Sequence, residues 1–168
     1  MKHEITRQNE NFSNLYWLTG LKKPNLPLEH HIQYIQVKDG FMASTDGSQI
    51  REIKIDLPDG FYSVLSRNMK TVSVFKEMEL VSTMYPEYKN ILEQNGNIGI
   101  KGHDDPIEHG LSDAIRAMKM NTFNPMLYLD MFKGMFFYTV TVDPEGNRAA
   151  IFTGKDAIAA LMPYRREL

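Results

Sequence analysis

The stretch that decides the fold is Phe41-Met42-Ala43-Ser44-Thr45-Asp46-Gly47-Ser48-Gln49-Ile50. An alternating apolar pattern over 31–38 precedes it, and Asp39-Gly40 separates the two. Because both residues of an Asp-Gly pair tolerate positive φ, the pair predicts a two-residue hairpin turn. The partner strand is expected to run over 41–44, pause at Asp46-Gly47 and resume through Ile55. Charged residues alternate with Ile53 and Ile55, which predicts that one face of this later part is in solvent.

Working outward, apolar periodicity and turn residues predict the remaining elements. Strands are predicted at 3–7, 61–65, 71–75, 136–142, 148–152 and 157–164, helices at 9–22, 76–94 (broken by Pro86), 111–120 and 124–134, and a loop at 95–110. The order reads as two βαββ-like halves. It predicts an α+β fold in which helices lie on one face of an antiparallel sheet. The chain, 1–168, is predicted to be one domain with an insertion at about 57–110.

The composition of the 168 residues narrows the function. A hydrophobic content of 42% is typical of a globular protein. The absence of cysteine excludes disulfides, thiolate nucleophiles and zinc-thiolate sites. A formal net charge of −2 gives no overall attraction to nucleic acid, so any DNA contact requires a local basic patch. With no signal-peptide pattern and no run of about 20 apolar residues, we expect a cytoplasmic protein without a membrane partner.

Four segments, in order, carry a resemblance to a known family. They are residues 41–50, Met84-Tyr85-Pro86-Glu87-Tyr88-Lys89-Asn90-Ile91-Leu92, Phe123-Asn124-Pro125-Met126-Leu127-Tyr128-Leu129-Asp130-Met131-Phe132, and Ala159-Ala160-Leu161-Met162-Pro163-Tyr164-Arg165. Together they resemble signature segments of the bacterial DNA polymerase III beta subunit, the sliding clamp. The chain departs from that family at Ser48-Gln49, where the family has His-Arg, and it is shorter than the three-domain family members. The resemblance implies a clamp-type domain.

The resemblance also implies a function. Sliding clamps are processivity factors that tether replication proteins to DNA, and they capture short linear peptides of those proteins in a hydrophobic groove. By position, the groove residues here are Thr45, Gly47, Ser48, Gln49, Ile50, Ala160, Met162 and Pro163. The alternative for these residues is structural, with Ile50 and Met162 in the core and Asp46-Gly47 as a bulge. The alternative function is a clamp-fold interaction module that does not encircle DNA.

In the family, basic residues on helices line a ring of six domains that encloses DNA. The corresponding candidates, on or near the predicted helices, are Arg7, Lys22, Lys23, Arg116, Lys119 and Lys133. Acidic residues lie among them, so a solvated helix face explains the same pattern. The resemblance implies a homo-oligomer with weak, non-specific affinity for double-stranded DNA; a one-domain subunit would need six copies to close a similar ring.

No catalytic constellation is recognisable, and we predict a protein that is not an enzyme and uses no cofactor. The sequence contains no nucleophile elbow, P-loop or dinucleotide fingerprint. A remote alternative is a metal-dependent hydrolase that uses His103, Asp104, Asp105, Glu108 and His109. The two histidines are six residues apart with Pro106 between them, and a polar loop accounts for the same residues.

Overall fold

The structure is a computed structural model that describes residues 1–25, 30–78, 85–93, 98–101, 137–142 and 148–163. The chain divides into two compact units, Met1–Glu87 and Tyr88–Leu168. Antiparallel strands dominate both units, and short helices accompany them. This confirms the predicted α+β class. The predicted helices at 111–120 and 124–134 lie outside the described residues, so the second βαββ-like half stays a prediction.

The first unit is an antiparallel sheet with one α-helix. Its elements are β1 (Lys2–Thr6), α1 (Phe12–Leu18), a single 3-10 turn (His31–Gln33), β2 (Ile35–Lys38), β3 (Phe41–Thr45), β4 (Gln49–Lys54), β5 (Gly60–Arg67) and β6 (Thr71–Lys76). The strands follow the order β1-β6-β5-β2-β3-β4 across the sheet. Strands β5 and β6 lie between β2 and β1, so the part of the predicted insertion that forms them is integral to the sheet.

Helix α1 supplies much of the core of the first unit. It is shorter than the predicted helix over 9–22, and the Thr19 hydroxyl donates to the Leu15 carbonyl at its end (2.7 Å). The helix contacts β4 and β6. Its apolar side chains are buried together with those of the sheet: Phe12, Leu15, Trp17, Leu18, Ile35, Val37, Met42, Ile53, Tyr62, Val72 and Val74. Burial of this apolar surface is the main driving force for folding the unit.

The Asp39-Gly40 turn forms as predicted. Lys38 pairs with Phe41, and the two intervening residues have φ values of 53° and 80°. Positive φ at both central positions is the type I′ geometry, whose twist matches that of the strands it joins. The turn therefore fixes the register of β2 against β3.

The sequence-based interpretation of residues 41–55 as one interrupted strand is wrong. Strands β3 and β4 form a second hairpin, in which Thr45 pairs with Ile50 across the turn at Asp46-Gly47-Ser48-Gln49. The prediction that one face of the later part lies in solvent holds at Lys54 and Asp56, which are exposed, and is wrong at Glu52, which is buried. Helix α1 packs on β4, and the Arg51 guanidinium donates to the carbonyl of Trp17 in this helix.

The second unit contains α2 (Lys89–Leu92) and strands β7 (Ile98–Lys101), β8 (Phe137–Val142), β9 (Ala150–Gly154) and β10 (Ala157–Leu161). The strand order is β10-β9-β8-β7, and all three pairings are antiparallel. The predicted hairpin of β8 with β9 is confirmed. The last strand ends at Leu161, three residues before the predicted end. The prediction of a loop over 95–110 is wrong at β7, where apolar residues alternate with Gly99 and Lys101.

We predict that Gly40→Ala destabilises the first unit by about 1 kcal/mol. At Gly40 φ is +80°, and a Cβ there would meet no atom within 4 Å. The cost is therefore backbone strain rather than a steric clash. The measurement is the free energy of unfolding from chemical denaturation. The control is Asp39→Asn, since asparagine tolerates positive φ equally well; equal stability of Gly40→Ala and wild type would contradict the turn assignment.

Candidate peptide-binding site

The turn between β3 and β4 is closed by the side chain of Asp46. Its Oδ1 accepts hydrogen bonds from the backbone N–H of Ser48 (2.8 Å), the hydroxyl of Ser48 (2.8 Å) and the backbone N–H of Gln49 (2.9 Å). Aspartate commonly stabilises turns in this way, because its short side chain reaches the backbone two or three residues on. The sequence Asp46-Gly47 thus forms a hairpin turn, not the bulge that the structural alternative required.

Thr45 and Gly47 complete the turn. The Thr45 hydroxyl donates to the Gln49 carbonyl (2.8 Å) and accepts from the Gly47 N–H (3.1 Å). Gly47 has φ +92°, and a Cβ built there would have no neighbour within 4 Å. The glycine is therefore required by backbone conformation, and its backbone faces open space.

A buried polar network continues inward from this turn. Asp46 Oδ2 accepts from Gln49 Nε2 (3.1 Å), and Gln49 Oε1 accepts from Arg51 Nε (3.2 Å) and Nη2 (3.1 Å). Arg51 Nη1 donates to the carbonyl of Trp17 near the end of α1 (2.7 Å), and the guanidinium lies 4.8 Å from the Trp17 ring centroid. Gln49 and Arg51 are each 2% exposed. The network joins the turn to the helix.

Burial divides the predicted groove residues into two groups. Gly47 is exposed and Ser48, Met162 and Pro163 are half-buried, whereas Thr45, Gln49, Ile50 and Ala160 are buried. Ile50 is 6% exposed and thus belongs to the core, as the structural alternative proposed. Within the first unit the turn brings the predicted residues of segment 45–50 together.

The predicted residues of the second segment follow the last described strand. Ala160 is fully buried in β10, where it pairs with Ile151 of β9. Met162 and Pro163 come after the end of β10 and have no strand pairing. Met162 and Pro163 are half-buried, whereas Ala160 and Leu161 are buried, so these two are the members of this segment that a partner molecule can contact.

Lys23 lies beneath the turn rather than on a solvent-facing helix. Its ammonium donates to the carbonyls of Thr45 (3.0 Å) and Tyr34 (3.3 Å). Burial lowers the pKa of Lys23 from 10.5 to about 8, although the nearby Asp46 carboxylate acts to raise it. Both hydrogen bonds direct the charge of Lys23 toward the backbone of its own unit.

The other predicted DNA-facing cations have different positions. Arg7 directly follows β1 and Lys22 follows α1, and both side chains are exposed. Arg116, Lys119 and Lys133 lie outside the described residues, as does the loop from His103 to His109. The described residues contain no group of three or more metal-ligating side chains. In the same part of the chain, no helix is long and apolar enough to cross a membrane.

Two contributors to the site were missed from the sequence. The sequence analysis did not single out Arg51, although an arginine two residues after a glutamine in a strand lies on the same strand face and can bond to it. The Tyr85 hydroxyl donates to the Ala43 carbonyl on β3 (3.1 Å), and burial raises the pKa of this phenol well above its ordinary value. The tyrosine sits before Pro86 in the second resembling segment, and that position was the available signal.

Comparison with solved structures identifies the fold. The chain matches the DNA polymerase III beta subunit of Pseudomonas aeruginosa with a TM-score of 0.59 and 12% sequence identity. The match covers 98% of this chain and 66% of that subunit. The beta subunit of Thermotoga maritima matches with a TM-score of 0.59 and 10% sequence identity, and the match covers 99% of this chain and 66% of that subunit. A Pseudomonas aeruginosa sliding clamp bound to griselimycin matches with a TM-score of 0.53 and 12% sequence identity, and the match covers 99% of this chain and 66% of that clamp. No protein-family profile and no curated protein sequence matches the chain.

The chain therefore has the fold of the DNA sliding clamps. Many neighbours are bacterial DNA polymerase III beta subunits, and in its fold the chain is a shortened relative of that subunit, spanning about two thirds of its length. The resemblance drawn from the four sequence segments is thereby confirmed at the level of the fold.

We predict that Arg51→Met lowers the free energy of unfolding by about 2 kcal/mol, because Gln49 Oε1 loses the donors that Arg51 supplies and the Trp17 carbonyl keeps only the Gly20 N–H (3.2 Å). Chemical denaturation followed by circular dichroism measures it. The matched control is Lys54→Met on the same strand, where the side chain is exposed and the expected change is within about 0.5 kcal/mol. Equal effects of the two substitutions would show that the network contributes nothing to stability.

The lowered pKa of Lys23 predicts that the stability of the protein depends on pH. Its folded pKa of about 8 lies below the ordinary value of 10.5, so between these two pH values the unfolded chain binds more protons. The free energy of unfolding of wild type should rise relative to Lys23→Met between about pH 8 and pH 9.5, by at most about 1 kcal/mol after solvent screening is allowed for. Below about pH 8 the two stability curves should run parallel, and parallel curves throughout would contradict the lowered pKa.

Proposed function

We propose that the chain is a clamp-like replication accessory protein that binds short peptides of partner proteins and helps to hold them on double-stranded DNA. The observation that carries the proposal is the match to DNA polymerase III beta subunits over nearly the whole chain, at TM-scores up to 0.59 among the structures compared. The neighbours include sliding clamps from Pseudomonas aeruginosa and Bartonella birtlesii bound to griselimycin. The proposal includes no catalytic step and no cofactor, and it places the protein in the cytoplasm.

Peptide contact is proposed for the accessible members of the two segments. Gly47 and Ser48 present backbone and hydroxyl groups on a turn. The Asp46 carboxylate accepts four hydrogen bonds that hold this turn in one conformation. A preformed surface loses little conformational entropy on binding, which favours affinity. Met162 offers a flexible apolar side chain that can adapt to varied partners, and Pro163 fixes the adjacent backbone. The buried residues Thr45, Gln49, Ile50 and Ala160 support these surfaces from within their own units.

A second candidate is an interaction module that binds peptides without encircling DNA. It is favoured by the net charge of −2 and by the internal bonding of Lys23, which removes one cation from the set that could face DNA. Light scattering coupled to size-exclusion chromatography separates the two candidates. A closed ring requires a particle several times the mass of one chain, whereas a monomer at micromolar concentration leaves the interaction module as the function.

The peptide proposal predicts that Met162→Ala weakens binding of a clamp-binding peptide rich in Gln, Leu and Phe by about tenfold, or about 1.4 kcal/mol. Fluorescence anisotropy of the labelled peptide measures the affinity. The matched control is Met69→Ala, which removes the same side chain at a position that is 74% exposed in the turn between β5 and β6. Its affinity should equal that of wild type.

A second variant tests the turn itself. Ser48→Arg places a long charged side chain beside Gly47 and should abolish peptide binding, while the thermal unfolding midpoint shows whether the fold persists. If folded Met162→Ala and Ser48→Arg proteins both bind the peptide as wild type does, the proposed contact residues are wrong.

A further inference from the structure

One end of the first-unit sheet carries three exposed cations from three separate segments. Arg67 ends β5, Lys70 lies in the turn to β6, and Arg7 directly follows β1. The Arg7 N–H donates to the Lys70 carbonyl (2.9 Å), which joins two of these segments. In the strand register, Arg67 pairs with Val72 and Thr6 pairs with Thr71, so all three cations lie at the same end of the sheet. We call Arg7, Arg67 and Lys70 the basic end.

Arg67 is held in place before any ligand binds. Its guanidinium carbon lies 3.6 Å from the centroid of the Tyr16 ring, and its Nε donates to the Tyr16 carbonyl (2.9 Å). The side chain passes over Gly20, where a Cβ would approach Nη2 to 2.6 Å. Within the described residues, only Nε of this guanidinium has a hydrogen-bond partner. Its terminal nitrogens therefore retain donors for an acceptor from outside.

The turn that carries Lys70 is also ordered by its own side chains. Asn68 Oδ1 accepts from the N–H groups of Lys70 (2.9 Å) and Thr71 (2.9 Å), and Asn68 Nδ2 donates to the Thr71 hydroxyl (3.0 Å). These bonds fix the backbone between Arg67 and Lys70. A fixed backbone limits the entropy that the cations lose when they contact a ligand.

Cations outnumber acids around the basic end. Residues 61–76 contain no Asp or Glu. Of the two acids nearest to Arg7 in sequence, Glu4 pairs with Lys2 (3.2 Å) and Glu10 forms no ion pair with a described cation. The opposite end of the same sheet is mixed, since Lys38 and Lys54 lie among Asp39, Asp56 and Asp59. Strand β5 alone separates the two ends by roughly 20 Å, at about 3.3 Å per residue, which exceeds the Debye length of about 10 Å at moderate salt.

We propose that the basic end binds the phosphate backbone of double-stranded DNA. Three exposed cations on one surface, with the Arg67 guanidinium held in place, match the requirement for phosphate neutralisation, and arginine and lysine are the side chains that supply it. Double-stranded rather than single-stranded DNA is favoured because the aromatic ring nearest the cluster, Tyr16, is already covered by Arg67. Phe12 also stacks with this ring, with the two centroids 5.9 Å apart, so Tyr16 is a poor platform for an unpaired base. The proposal rests on the DNA-tethering role proposed above and assigns that role to a sheet end and a hairpin turn.

The test is the salt dependence of binding to a short fluorescein-labelled duplex of random sequence, measured by anisotropy with the full chain. Each phosphate contact contributes about 0.9 to the slope of log affinity against log salt concentration. Arg67→Ala and Lys70→Ala should each reduce that slope by about 1 and weaken binding uniformly across sequences. Lys38→Ala, which removes the same charge at the mixed end, should leave the slope unchanged. Arg67→Lys should keep the slope while weakening binding, because the charge remains and the fixed orientation on Tyr16 is lost.

The outcomes separate this inference from the proposed function. If wild type binds the duplex and all four variants share its slope, the basic end is not the contact surface, although DNA tethering itself stands. If wild type binds no duplex at about 50 mM salt, where such contacts are strong, both the basic end and DNA tethering are wrong. Peptide affinity of the same variants should equal that of wild type, and thermal unfolding confirms that each variant is folded. Preference for the single strand over the duplex would also overturn the proposal.

Discussion

The hydrogen bonds of the buried Arg51 guanidinium are the polar interaction on which the first unit most depends. A charged side chain that is 2% exposed would be strongly destabilising without partners, because transfer of an ion from water to the protein interior is costly. Here it donates to the Trp17 carbonyl on one side and to Gln49 on the other, and Gln49 in turn bonds to Asp46. A single chain of hydrogen bonds thus links the end of α1, the strand β4 and the turn after β3. Loss of Arg51 removes both donors to the buried Gln49 Oε1, which is costly in a water-excluded site.

The sequence predicted the parts of this fold that depend on local rules. Asp39-Gly40 gave the first hairpin, since positive φ at two successive residues leaves few alternatives. The second hairpin was missed, because a Gly47 turn closed by the Asp46 side chain looks in the sequence like a pause in one strand. The burial of Glu52 was missed for a different reason. Alternation of charge normally marks a solvated face, and this rule holds at Lys54 and Asp56 but not at Glu52, which the folded chain covers.

The sequence predicted which segments carry the candidate site, but it did not predict which residues of those segments are accessible. The resemblance placed it at segments 45–50 and 160–163, and half of the eight residues are accessible there: Gly47, Ser48, Met162 and Pro163. Of the other half, Gln49 and Ile50 are buried because strands present alternate residues to opposite sides and both sides of β4 are covered there. Thr45 and Ala160 are buried within β3 and β10. Arg67 was also outside the sequence-based set of DNA-facing cations, since that set followed predicted helices and Arg67 reaches Tyr16 of α1 from a distant strand end.

The fold is that of the sliding clamps, and the central proposal is that the turn at Gly47-Ser48 and the residues Met162-Pro163 bind peptides of partner proteins. The most direct test of the central claim is amide hydrogen exchange of the full chain with and without a clamp-binding peptide rich in Gln, Leu and Phe. The account predicts that exchange slows at Gly47 and Ser48 and around Met162, while Val72 and Val74 in β6 are unchanged. Unchanged exchange at the turn, with slowing elsewhere or nowhere, would contradict it.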